Sequence, residues 1–131
     1  MSVHFESTIP ILRIFSIEKA REFYLDYLGF TVDFEHRFDD SAPLYMQVSR
    51  GSLLLHLSEH YGDACPGAAV LVWMTGLDDF HAEITAKDYR YMRPGIEVMP
   101  WNVRTVKVTD PFGNRVVFSE RTDPDSAIRT A

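Results

Sequence analysis

The sequence predicts an α+β fold built from two successive βαβββ units, and three observations carry that prediction. Across residues 16–30, Ala20, Phe23, Tyr24, Tyr27 and Leu28 form one apolar stripe at helical spacing. Directly after them, Phe30, Val32, Phe34, His36 and Phe38 alternate with Thr31, Asp33, Glu35 and Arg37, which is a strand with one apolar face. The same succession of patterns then runs a second time beyond residue 67. A helix with one sticky face that feeds a strand with one sticky face is a helix packed on a sheet.

Each element follows in order. Residues 8–15 read as a buried strand, with Pro10 near its start, where a missing N–H is tolerated. Ser16 is the expected N-cap of the helix, Glu18 sits in its first turn, and Gly29 closes its end. Residues 39–43 form a turn. Leu44, Met46 and Val48 alternate with Tyr45, Gln47 and Ser49 in a third strand, and a tight connection at 50–52 leads into the strand at 53–59. Residues 60–67 are rich in Gly and Pro and read as a linker. The second unit has a strand at 68–75 and a helix at 76–85 with Leu77, Phe80 and Ile84 facing inward. Strands around 95–101, at 103–109 and at 115–120 follow, the last two joined by a turn at 110–114. Repeat one thus covers about 8–59 and repeat two about 68–120 of a single domain at 1–120. Each sheet is too small to bury its face alone, so the repeats are expected to pack together. Residues 121–131 have no periodicity and read as a frayed tail.

Length and charge bound the function. At 131 residues the chain is long enough for one core. With 46% hydrophobic and 13% aromatic residues it belongs among folded proteins rather than disordered ones. A formal net charge of -6 makes nucleic acid and anionic membranes poor partners and favours a cationic ligand, although the same charge also serves solubility. The lone Cys65 fits a reducing compartment. Residues 1–10 lack a basic and then apolar leader, so the expectation is a cytoplasmic protein. The longest apolar runs are far shorter than a membrane span.

Two segments, EKAREFYLDYLGF at 18–30 and TDPFGNRVVF at 109–118, resemble the vicinal-oxygen-chelate superfamily, which holds glyoxalases, bleomycin-resistance proteins and ring-cleaving dioxygenases. The similarity spans residues 9–120. IPIL (9–12), VWMTGLDDFHAE (72–83), MPW (99–101) and DPFGN (110–114) are most similar to the small bleomycin-resistance proteins. The resemblance implies a cleft-forming half-barrel. With Pro10 near the first strand, it also implies a homodimer that exchanges N-terminal strands. The family's metal positions fall on Ile9, His56, Ala69 and Val117, three of which have no N, O or S donor. It therefore implies neither metal nor other cofactor and no catalytic residue.

By the same resemblance Trp101 matches a stacking tryptophan, Phe38 an aromatic of the opposite wall and Trp73 a further tryptophan near the cleft. Phe34 is a fourth flat surface. For Phe34 and Trp73 a core position is at least as reasonable. The implied ligand is a planar cationic small molecule of the bleomycin type, bound without catalysis. The alternative is an enzyme or binder of the same fold acting on another small molecule, with Arg104, His56, Tyr45 or Glu59 on the strands facing it. His56 and His60 lie ~13 Å apart along a strand, too far to share a metal. Cys65 has no base nearby in sequence to activate it.

Overall fold

The computed structural model describes residues 2–122 and shows two compact units that divide between Pro66 and Gly67. In the first, β1 (Ile11–Arg13) leads to α1 (Ile17–Arg21), which continues as a π-helical turn (Glu22–Tyr27). β2 (Thr31–His36), β3 (Tyr45–Arg50) and β4 (Leu53–Ser58) follow. The second unit has β5 (Ala69–Trp73), α2 (Leu77–Ala86), β6 (Glu97–Met99), β7 (Val103–Thr109) and β8 (Arg115–Arg121). The strand orders are β1-β4-β3-β2 and β5-β8-β7-β6, so the repeat read in the sequence is a repeat of topology. In each unit the first strand is parallel to the last and the other pairs are antiparallel.

The helix starts as its sequence demands: the Ser16 hydroxyl accepts from the Lys19 N–H at 3.2 Å. Gly29 ends it at φ 80°, in the left-handed region that glycine enters without a Cβ clash. Between them the spacing predicts a regular α-helix, but residues 22–27 close i→i+5 bonds instead. The wider turn gives more room to Phe23, Tyr24 and Tyr27, all buried. Phe23 meets Tyr24 edge-on at 4.9 Å, and Tyr24 meets Phe30 at 6.3 Å. Under this cluster lie Leu12, Met46, Val48, Leu55 and Leu57, the inward face of the sheet. In the second unit Leu77, Phe80 and Ile84 of α2 are buried along with Val106, Val108, Val116 and Phe118, with Phe80 and Phe118 at 4.6 Å.

Three differences from expectation bear on the site. β1 is three residues long rather than eight. Arg121, assigned to the tail by its lack of periodicity, is the last residue of β8. Residues 123–131 of the expected tail lie outside the described residues. The third difference is a bulge at Asp33 in β2, where pairing shifts from Val32↔Val48 to Phe34↔Gln47. One inserted residue turns every later side chain to the other face. The single apolar face expected for residues 30–38 is therefore split. Val32 lies level with Val48 on the helix side, whereas Phe34 and His36 lie level with Gln47 and Tyr45 on the opposite side. Glu35 consequently faces the helix and pairs with Arg21.

The turn before β8 is tied by two buried polar residues. Asp110 Oδ1 accepts from the N–H groups of Phe112 and Asn114, both at 2.8 Å, and its Oδ2 accepts from Asn114 Nδ2 at 2.9 Å. Asn114 Oδ1 accepts in turn from Ala68 N–H, fastening the entry of β5 to the turn. Asn114→Ala removes one donor to the buried Asp110 carboxylate and the acceptor of the part-buried Ala68 N–H. It should lower stability by about 2 kcal/mol, read as a fall in the urea midpoint at unchanged slope.

Candidate functional site

A helix covers one face of each sheet, and the alternation of side chains sends every second residue to the other. On the first unit's open face β4 contributes His56 and β3 contributes Tyr45, Gln47 and Ser49; β2 brings Asp33 and Phe34. The polar ones among them form one chain of hydrogen bonds. Tyr45 Oη lies 2.5 Å from His56 Nδ1, and His56 Nε2 lies 2.9 Å from Gln47 Oε1. Gln47 Nε2 donates to Asp33 Oδ2 at 3.0 Å, and Ser49 Oγ donates to Asp33 Oδ1 at 2.9 Å. The donors from Gln47 and Ser49 hold the Asp33 carboxyl below its ordinary range. Partial burial, and then the charge of Asp63, push the Tyr45 hydroxyl above its own. Phe34 stands edge-on to the His56 ring at 5.9 Å and remains 45% exposed, so it is no core aromatic.

The other expected site residues are spread more widely. Phe38 lies past the end of β2, 79% exposed, edge-on to His36 at 4.8 Å and to His60 at 6.1 Å. Glu59 uses Oε1 to accept from Leu44 N–H, tying the chain next to β3. In the second unit Trp73 is 39% exposed at the end of β5, with the Arg121 guanidinium 3.9 Å above its ring. Trp101 is 50% exposed in the turn between β6 and β7, beside Asn102 at φ 63°. Leu71, level with Val117, adds an uncovered aliphatic side chain to this face.

Arg104 is held on the helix side. It lies level with Glu120 and donates two parallel bonds to Asp78 of α2, at 3.0 and 2.9 Å, and a third to Glu120 at 2.9 Å. Glu120 Oε2 accepts from the N–H groups of Gly76 and Leu77, supplying the N-terminal cap that Gly76 has no side chain to provide. Arg104, a ligand-contact candidate by its strand position, thus ties β7 and β8 to the start of α2.

The positions that the resemblance assigns to a metal do not fit one. The registers put Ile11, not Ile9, level with His56 and Leu71, not Ala69, level with Val117, and all of these but His56 are hydrocarbon. One imidazole among hydrocarbons offers too few donors. Among the described residues no group of three or more His, Cys, Asp or Glu is placed to hold a metal ion.

Sequence reading missed Asp33, Gln47, Ser49 and Arg121. Tyr45, Gln47 and Ser49 alternate as the polar side of β3, so that part of the signal was present. Asp33 reaches them only through the bulge.

A family model described as glyoxalase superfamily protein matches residues 1–125. Among curated proteins none matches the chain. Solved structures do. A bleomycin-binding protein from bleomycin-producing Streptomyces verticillus, complexed with copper(II)-bleomycin, is 29% identical, with TM-score 0.66 over 89% of this chain and 97% of that one. Another bleomycin-binding protein, complexed with bleomycin, is 20% identical with TM-score 0.68, over 89% and 99%. A glyoxalase-related enzyme from Clostridium phytofermentans is 17% identical with TM-score 0.70, over 91% and 97%. Among the described residues no helix is long and apolar enough to cross a membrane.

The Glu120 cap makes stability depend on pH. Partial burial alone would raise its carboxyl, but the bonds from Arg104 and from the Gly76 and Leu77 N–H groups outweigh that and hold it below its ordinary value. A carboxyl depressed in the folded state stabilises fully above its unfolded range, near 4.3, and loses that contribution as pH falls through the folded value. Glu120→Gln should therefore be less stable by about 1 kcal/mol at pH 7, with the gap closing below about pH 4 in thermal melts across pH.

Proposed function

This chain belongs to the glyoxalase superfamily, and on that premise we propose that it is a small-molecule-binding protein that sequesters bleomycin-type antibiotics and so confers resistance. The ligand is planar and cationic, held by aromatic stacking in a cleft at the interface of a homodimer. The observation that carries the reading is the set of large flat side chains that stay exposed, Phe34, Phe38 and Trp101, with Trp73 partly exposed beneath the Arg121 guanidinium. Each stack adds about 0.5–1.5 kcal/mol beyond the area it buries, so several together support tight binding. The net charge of -6 draws a cation in, and protection follows by mass action, since bound drug is withheld from its target.

The bleomycin-binding neighbours support this choice within the superfamily. The dimer is supported by Ile11, Phe15 and Leu71, apolar side chains open to water on a single chain and suited to burial against a second copy. Cytoplasmic residence agrees with the lone, exposed Cys65.

Titration of the purified protein with metal-free and copper-loaded bleomycin, followed by tryptophan fluorescence, tests the proposal. Saturable quenching near one drug per chain is expected, with Trp101→Ala weakening it by about tenfold or more. Absence of binding at micromolar drug overturns the antibiotic reading, and a monomer in sedimentation at micromolar protein overturns the interface.

A further inference from the structure

The hydrogen bonds on the open face of the first unit have a direction, and that direction fixes what a ligand must bring. Asp33, ionised at neutral pH, can only accept. Gln47 must therefore turn its NH2 toward Asp33, at 3.0 Å, which leaves its carbonyl oxygen toward His56. A carbonyl oxygen also only accepts, so His56 Nε2, at 2.9 Å from it, carries the proton. In the neutral ring Nδ1 then bears the lone pair, and the Tyr45 hydroxyl at 2.5 Å donates to it. The Tyr45 proton is thereby committed inward, and the lone pairs left on its oxygen can only accept. Two further residues stand close to this pair. The Asp63 carboxylate acts on Tyr45 through space and is itself held by the Ser58 hydroxyl at 2.6 Å. Phe34 stands beside the same imidazole with its ring half open to solvent.

We propose that Tyr45 Oη is the accepting anchor of a ligand subsite that selects a hydrogen-bond donor on a planar ligand, a cationic N–H group above all, and rejects an acceptor in the same place. This deepens the small-molecule-binding reading and rests on it, but it concerns the polarity of one contact rather than the identity of the drug. His56, Gln47 and Asp33 are positioning residues, since they act through Tyr45.

The first measurement is the imidazole nitrogen NMR spectrum of the full chain, which should show His56 protonated at Nε2 and bare at Nδ1. In Gln47→Leu that preference should relax toward a mixture of tautomers. The second compares benzamidine with benzoate, flat probes of nearly equal size and opposite polarity. Benzamidine should shift the resonances of Tyr45, His56 and Phe34, benzoate should not, and Tyr45→Phe should weaken benzamidine by about three- to tenfold. A proton on Nδ1, benzoate binding as well as benzamidine at Tyr45, or benzamidine binding unchanged in Tyr45→Phe would each overturn the assignment. If bleomycin fails to bind while benzamidine is still selected, the drug reading falls and the subsite stands. If bleomycin binds while the probes are not distinguished, the reverse holds.

Discussion

One constraint shapes both halves of this chain: a four-stranded sheet that has one short helix can bury only one of its faces. The sequence meets that constraint with Phe23, Tyr24, Tyr27 and Leu28 in the first unit and Leu77, Phe80 and Ile84 in the second, all set against aliphatic residues of the strands. The side chains that alternate with those aliphatic residues must face away from the helix, whatever they are. Here they include an imidazole, a phenol, an amide and several large aromatics. They are the chemically informative part of the molecule because the core does not use them.

The bulge at Asp33 decides how that open face is furnished. Without it, Phe34 would lie on the helix side with Val32, and Glu35 would point away from the helix, putting an exposed charge in place of a flat ring. The inserted residue exchanges them, so that Glu35 reaches Arg21 and Phe34 reaches His56. Asp33 itself, freed from regular pairing, turns its carboxylate to Gln47 and Ser49. A strand of period two with one extra residue cannot be told from an uninterrupted strand by alternation alone, since both apolar sets keep their spacing in sequence.

This is why most of the fold was legible and part of the site was not. The helix cap at Ser16, the end at Gly29, the turn at 110–114 and the order of elements depend on local chemistry, and local chemistry is written in the sequence. Trp101 and Phe38 stand exposed because a turn and a strand end leave little to cover them. Arg104 is harder to read for the opposite reason. A strand position leaves the choice of face open until the register with Glu120 is known, and the register turns its guanidinium toward Asp78 and the start of α2. Arg121 was hidden by the absence of any pattern after residue 120, yet a single further strand residue suffices to lay it on Trp73.

The two units share a backbone plan but not a chemistry, and their registers make the comparison position by position. His56 pairs with Ile11 as Val117 pairs with Leu71, Gln47 faces His56 as Lys107 faces Val117, and Tyr45 faces Ser58 as Thr105 faces Ser119. The relay of the first unit therefore cannot be copied in the second, because valine stands where the imidazole would be. Thr105, in the place of Tyr45, keeps a hydroxyl that is buried with no hydrogen-bond partner among the described residues. Lys107 reaches Glu97 at the far edge instead of a neighbour in the row. Directional polar recognition thus belongs to the first unit, whereas the second offers an aliphatic and indole surface with a cation laid on it.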